Sequence, residues 1–499
     1  MSERISIGKN VAGGEAHLLS KLANRHGLVA GATGTGKTTT LKLLAERFSK
    51  LGVPVFLADV KGDVTGISQP GATNDIIQGK IDSLKIEPPE FSGLPTIFWD
   101  LYGEKGHPIR TTVSEMGPLL LSRVLDLNDT QESVLSVIFK LADDDGLLLD
   151  NLQDLKAVLG YVEEHAKDYK AEYGTIAKQT VGTISRKIIA LEQQGVDRFF
   201  GEPGLELSDL MRTTTDGKGY VSLLAADKLI QSPKLYSTFL LWMLSELFEQ
   251  MPEVGDPDKP KFVFFFDEAH LLFDDTPDIL KDKILQVVRL IRSKGIGVYF
   301  ITQNPVDIPD DVLGQLSNRI QHALRAYTPK EQKAIKQAAE TYRTNPALDI
   351  ARVVQELEVG EALMSFLDEK GAPTVVDRFF VLPPGTSFGP VEPDALAAAK
   401  AQSPIAAKYE DAINDESAYE MLQARVAAAT AEAEQEAAEA EEKKAEEAKA
   451  EKPERKKAAK SPSRKDGIFE AMAKSTARSV GSKLGTEIVR GVLGTIFKK

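Results

Sequence analysis

The hydrophobic pattern of this chain alternates between two periods. Short apolar runs recur at Gly27–Ala30, Val53–Ala58, Pro95–Asp100, Gly219–Leu224, Lys261–Phe266 and Gly297–Gln303. Each has strand length, and the unbroken run Phe262–Phe266 suits a central parallel strand covered on both faces. Between them, Thr39–Ala45, Lys234–Met251 and Ile279–Arg292 carry apolar residues at helical spacing. The alternation predicts an α/β fold with a mostly parallel sheet and helices on both faces. Ile5–Lys9 reads as a further short strand and Leu18–Arg25 as helix or turn. Arg25 and His26 read as surface residues at a strand entrance, with contact to a nucleotide base or ribose as the alternative. Downstream, Arg319–Arg325 predicts a strand, Lys330–Thr341 and Ile350–Leu357 predict helices, and Glu361–Phe366 with Pro373–Val381 predicts a closing antiparallel pair.

From about residue 111 to 210 the period becomes helical throughout, in Val113–Leu125, Thr130–Ala142, Leu152–Lys167 and Thr175–Gln194. We read an all-helical insertion within a core domain spanning 1–382. Its acidic run Asp143-Asp144-Asp145 precedes Gly146 and reads as a solvated helix end without chemistry. Residues 383–465 form a helical, low-complexity linker rich in Ala, Glu and Lys; it lacks the sustained apolar seam of a coiled coil. Residues 466–499 regain an amphipathic helical pattern through Phe469, Met472, Val480, Leu484, Ile488, Val492 and Ile496, with Gly481 and Gly485 four apart. Docking onto a protein partner or another subunit is the preferred reading of this tail; a membrane-surface helix and packing against its own core are the alternatives.

Composition narrows the classes. The chain has 499 residues and no cysteine, which excludes disulfides, thiolate zinc sites and cysteine nucleophiles. The N-terminus lacks a signal-peptide pattern, and no apolar run reaches the roughly 20 residues of a membrane span. A cytoplasmic protein without a transmembrane segment is expected. The net charge of −13 argues against a surface coated in basic DNA-binding patches. It leaves room for a ring that keeps its basic residues on pore loops.

The chemistry concentrates at strand ends. Gly31-Ala32-Thr33-Gly34-Thr35-Gly36-Lys37-Thr38, followed by Thr39, joins the first core strand to a helix in the pattern G-x-x-x-x-G-K-T. Its backbone N–H groups cradle phosphates, Lys37 reaches the β- and γ-phosphates, and Thr38 supplies a hydroxyl to Mg²⁺. The helix aims its positive N-terminal end at the same anions. Asp267 and Glu268 close the apolar run Phe262–Phe266, Asp267 placed to hold Mg²⁺ through water and Glu268 to polarise the attacking water of a nucleotide triphosphate. Asp59-Val60-Lys61-Gly62-Asp63 ends another strand, where open α/β sheets bind ligands. Gln303 ends the next strand and reads as a γ-phosphate sensor. Arg292 is either a finger reaching a neighbouring subunit's phosphate or a charge neutralising a helix C-terminus.

Together Gly31–Thr38, Asp59–Asp63, Phe262–Glu268, Arg292-Ser293-Lys294-Gly295 and Thr302-Gln303 resemble the HerA/FtsK superfamily of P-loop ATPases, in particular the bacterial YjgR-type HerA-like proteins. The resemblance covers Ile5 to about Val381 and the terminal helix. It implies a RecA-like core, ATP and Mg²⁺ as cofactors, a hexameric homo-oligomer with shared active sites, and DNA translocation. It also implies Arg319 as a second candidate finger. An ATPase acting on protein partners and a nucleotide-controlled binding module are the alternatives. About thirty residues precede Gly31, too few for the N-terminal β-barrel of HerA proteins.

Overall fold

The computed structural model describes residues 3–450 apart from 168, 275, 277 and 415. The predicted tail helix at 466–499 lies outside the described residues. Two compact units separate by contact among the described residues, one comprising residues 3–111 with Gly201–Ile413, the other Thr112–Phe200 with residues 414–450. The sheet unit therefore runs on beyond residue 382.

The first unit is built on one twelve-stranded sheet. Its strands are β1 (Arg4–Lys9), β2 (Glu15–Leu19), β3 (Gly27–Ala30), β4 (Val55–Asp59), β5 (Thr96–Asp100), β6 (His107–Pro108), β7 (Val221–Ala225), β8 (Phe262–Phe266), β9 (Ile296–Thr302), β10 (Asn318–Gln321), β11 (Glu361–Ser365) and β12 (Asp377–Val381). They lie in the order β2-β1-β12-β11-β10-β3-β9-β8-β4-β7-β5-β6. From β10 to β6 every neighbour is parallel. From β10 back to β2 every pairing is antiparallel. This is the mostly parallel α/β architecture that the alternation predicts, with β9 inserted between β3 and β8.

The central strands are apolar on both faces because both faces are covered. Every residue of β4, β8 and β9 is buried. On one face the helix α1 (Lys37–Lys50) sets Leu41, Leu44, Ala45 and Phe48 against Val29, Leu57, Phe265 and Tyr299. On the other, Phe56 stacks on Phe264 with ring centroids 4.8 Å apart. Burying a phenylalanine contributes about 2–3 kcal/mol, so this double layer fixes the height of each strand end and of the polar residues that follow it.

Three local expectations are corrected. Leu18–Arg25 is not helix from its start: Leu18 and Leu19 finish β2, which pairs with β1 through a turn in which Gly13 has φ 90° and Asn10 Oδ1 accepts the Gly14 N–H at 2.7 Å. His26 is not a surface residue; it is 3% exposed, with Nε2 2.7 Å from the Val288 carbonyl and Nδ1 accepting the Val298 N–H at 3.0 Å. Burial lowers its pKa to about 4, so the ring is neutral. Val113–Val124 is not one continuous helix, because Gly117 at φ 70° and Pro118 interrupt it.

In the second unit, helices Val113–Val124, Asp129–Asp144 and Leu152–Glu164 begin on capping boxes set by Thr112, Asn128 and Asn151, and Lys178–Glu192 packs with them. Helix Ala418–Ala450 is anchored at its start, where Asp154 Oδ1 accepts the Ser417 hydroxyl at 2.6 Å and the Tyr419 N–H at 2.9 Å. Residues 431–444 of that helix are exposed.

Candidate nucleotide site

The loop 31–36 leaves β3 and turns back into α1 at Gly36, which has φ 113°. Its positive φ favours glycine, and a Cβ there would lie 3.1 Å from the Gly360 backbone, a tight contact. The loop is clamped from the β10–β11 side. Ala32 N–H donates to Ala323 O at 2.8 Å, and Gly360 N–H donates to Thr35 O at 3.0 Å. His322 follows β10 and is fully buried beneath the loop; a Cβ on Gly31 would meet its Cβ at 2.5 Å.

Lys37 Nζ donates to Gly31 O at 2.6 Å and Ala32 O at 3.1 Å, across the concavity of the loop. Burial lowers its pKa, while Glu268 and Asp267 oppose that shift. Thr33 and Gly34 are exposed at the loop's tip. Thr38 Oγ1 lies 3.5 Å from Asp63 Oδ2.

β8 delivers Asp267 and Glu268 beside this loop. Asp267 Oδ1 accepts the Glu268 N–H at 3.0 Å, and the Asp267 carbonyl accepts the Tyr236 hydroxyl at 2.7 Å. Desolvation pushes the Asp267 carboxyl up to about 7, with the neighbouring Glu268 charge adding to it. A cation at this position reverses that penalty. Glu268 takes φ 49°, ψ 47°, an uncommon conformation for a residue with a side chain. His270 Nδ1 lies 3.5 Å from its Oε2.

Because β9 runs between β3 and β8, Gln303 emerges between loop and acidic pair. Its Nε2 is 3.3 Å and 3.4 Å from the two Glu268 carboxylate oxygens, and its Oε1 is 3.5 Å from Thr33 Oγ1. Thus Thr33, Gln303 and Glu268, widely separated in sequence, form one polar line. Lys61 is exposed at the end of β4, and its charge acts on both Lys37 and Asp267.

The two candidate fingers differ. Arg292 is exposed in the turn Ile291–Lys294 before β9, without an ion-pair partner among the described residues. Arg319 is committed within its own chain, Nε to Leu316 O at 2.9 Å, Nη1 to Thr341 O at 3.1 Å and Nη2 to Leu313 O at 2.9 Å. Those three carbonyls account for Arg319 as a brace between the end of β10 and the residues around it.

The donor set fits Mg²⁺. Thr38 and Asp267 offer hard oxygens, and no group of three or more His, Cys, Asp or Glu close enough to enclose a metal occurs among the described residues. Mg²⁺ in nucleotide sites uses few protein ligands together with water and phosphate. Sequence reasoning missed His322, which lay inside the strand predicted over Arg319–Arg325 whereas β10 ends at Gln321, and gave Asp63 no role although its motif was visible.

The family model described as Helicase HerA-like C-terminal matches residues 4–499. The DNA double-strand break repair helicase HerA of Saccharolobus solfataricus is 23% identical over 360 residues, covering 72% of this chain and 64% of the relative. Its namesake from Sulfolobus acidocaldarius is 22% identical over 363 residues, covering 72% and 65%. The chain thus spans just under two thirds of the length of these relatives. Among solved structures, VirB4 of Thermoanaerobacter pseudethanolicus is similar with a TM-score of 0.48 and 15% identity, covering 76% of this chain and 96% of that one. Among the described residues, no helix is long and apolar enough to cross a membrane.

Proposed function

Since the chain belongs to the Helicase HerA-like C-terminal family, we propose that it is an ATP-hydrolysing motor that assembles as a homo-oligomeric ring, a hexamer by its family, and translocates DNA. The observation that carries the hydrolytic part is the line Thr33–Gln303–Glu268, which ties the phosphate loop to a carboxylate. Gly31 to Thr39 hold the triphosphate, with Lys37 turning from its loop carbonyls to the β- and γ-oxygens. Glu268 takes a proton from the attacking water as the new P–O bond forms and the bond to the departing ADP breaks. Gln303 reports the state of the γ-phosphate to the loop. Thr38 and Asp267 hold Mg²⁺, which when bound neutralises charge on the phosphate oxygens. Arg292 is the finger offered to the neighbouring subunit, since Arg319 is already engaged by three carbonyls.

The names of the HerA relatives favour DNA as the substrate. The test is ATP turnover at low salt with and without double-stranded DNA, together with the assembly's mass with and without ATP and Mg²⁺. Stimulation by DNA of a ring-sized species is expected. Turnover that ignores DNA in a protein that does not bind it rejects the DNA motor and leaves an ATPase acting on protein partners. Absence of turnover in the wild type leaves a nucleotide-controlled binding module.

A further inference from the structure

The turn after β4 makes a third wall of the nucleotide site. Asp59 is buried and braces the turn, Oδ1 accepting the Gly62 N–H at 2.7 Å and Oδ2 the Val64 N–H at 3.0 Å. Asp63 contributes nothing to that bracing. Its one side-chain hydrogen bond among the described residues is to Thr38 Oγ1 at 3.5 Å. The turn is also anchored from behind. The Val391 N–H donates to Thr65 Oγ1 at 2.9 Å, and Lys42 Nζ, buried near Asp59 and Asp63, donates to Ser387 O at 3.0 Å. A carboxylate on a turn anchored in this way, with the Lys42 charge nearby and its one side-chain hydrogen bond among the described residues going to Thr38, is placed for that hydroxyl.

A threonine hydroxyl has one hydrogen and two acceptor lone pairs. When the hydrogen goes to a carboxylate, the lone pairs are left to face a hard cation, and the donation raises the oxygen's basicity. Asp267 is oriented differently, through its own neighbouring backbone, with Oδ1 on the Glu268 N–H. We propose that Asp63 is a positioning residue for Mg²⁺, fixing the Thr38 hydroxyl so that its lone pair faces the metal bound with the nucleotide. This rests on the nucleotide-site reading above. It assigns the Asp59–Asp63 motif a task that neither the loop nor the acidic pair supplies.

The test reads metal-dependent binding rather than turnover. A fluorescent ADP analogue is titrated with Mg²⁺ against the full chain, and the midpoint is measured for wild type, Asp63→Asn, Thr38→Ala and the double variant, with melting temperatures to verify folding. Loss of an outer ligand partner typically weakens metal binding 10–100-fold. Asp63→Asn is expected to raise the Mg²⁺ midpoint about tenfold or more while leaving metal-free analogue binding unchanged. In the Thr38→Ala background the same change is expected to do nothing further. An Asp63→Asn midpoint within twofold of wild type, or a full additional effect in the Thr38→Ala background, overturns the proposal. Lys37→Ala separates the two readings: if it binds the analogue as tightly as wild type, the nucleotide site itself is misassigned, whatever Asp63 does.

Discussion

Thr40 Oγ1 and His322 Nε2 lie 2.8 Å apart, both side chains buried, one turn into the helix that follows the phosphate loop. The other ring nitrogen, Nδ1, lies 2.8 Å from the Glu361 carbonyl. A carbonyl only accepts, so Nδ1 carries the proton and Nε2 accepts from the threonine hydroxyl. Glu361 in turn holds Arg378 on β12, with Arg378 Nε donating to its Oε1 at 2.9 Å. The phosphate-loop helix is thereby tied to β11, in the antiparallel part of the sheet, through one neutral imidazole. Replacing His322 by phenylalanine leaves the Thr40 hydroxyl and the Glu361 carbonyl without their buried partner, a loss of about 1–3 kcal/mol for each. A lower melting temperature and weaker binding of the ADP analogue are expected. Unchanged values for both would show that the contact is incidental.

Glu268→Gln keeps the shape of the side chain and removes its basicity. Turnover is expected to fall by roughly 10²–10⁴, the range for loss of a general base, with ATP still bound. Gln303→Ala cuts the line from Glu268 to Thr33 and leaves the Glu268 carboxylate in place. Its turnover is expected to fall less than that of Glu268→Gln, as single-turnover and equilibrium binding measurements would show.

The strand ends proposed to carry this chemistry stand out in the sequence because each apolar run terminates abruptly on polar residues, as at Phe266-Asp267 and Ile301-Thr302-Gln303. The phosphate loop was legible because its glycines and lysine have a mechanical reading at fixed spacing. What escaped was set by tertiary contact. His26 looks polar, yet both ring nitrogens are satisfied by backbone groups far along the chain. Arg319 looks like a free cation until the Leu313, Leu316 and Thr341 carbonyls converge on it. β2 was too short to show alternation, although Asn10 and Gly13-Gly14 carried a turn signal that the strand reading did not use.

Acid should weaken the fold through His26 and His322. Burial lowers both pKa values from 6.5 to about 4. Between those values the unfolded chain binds protons that the folded one refuses. The stability present above pH 6.5 is therefore lost progressively as pH falls toward about 4, on the order of 3 kcal/mol for each histidine at most. Denaturant midpoints at pH 7 and pH 4.5 measure the loss. His26→Asn and His322→Asn are each expected to make the midpoint less dependent on pH over this window, and an unaltered dependence in both would place the acid sensitivity elsewhere.

Arg292 and Arg319 are separated by what each contacts. Arg319→Ala removes the partner of three carbonyls and is expected to destabilise the fold by about 2–3 kcal/mol, seen in the melting curve. Arg292→Ala, at an exposed site without an ion pair among the described residues, is expected to leave the melting temperature unchanged and lower turnover by on the order of 10³ if the finger acts between subunits. Mixing gives the decisive readout. Arg292→Ala subunits retain Glu268, and Glu268→Gln subunits retain Arg292. A site formed where the first presents its nucleotide and the second presents its arginine has both groups. Two inactive preparations should therefore recover part of the wild-type rate when mixed under conditions that allow subunit exchange. If the mixture stays inactive although exchange is demonstrated by mass, Arg292 acts within its own chain, and the shared-site arrangement is lost with it.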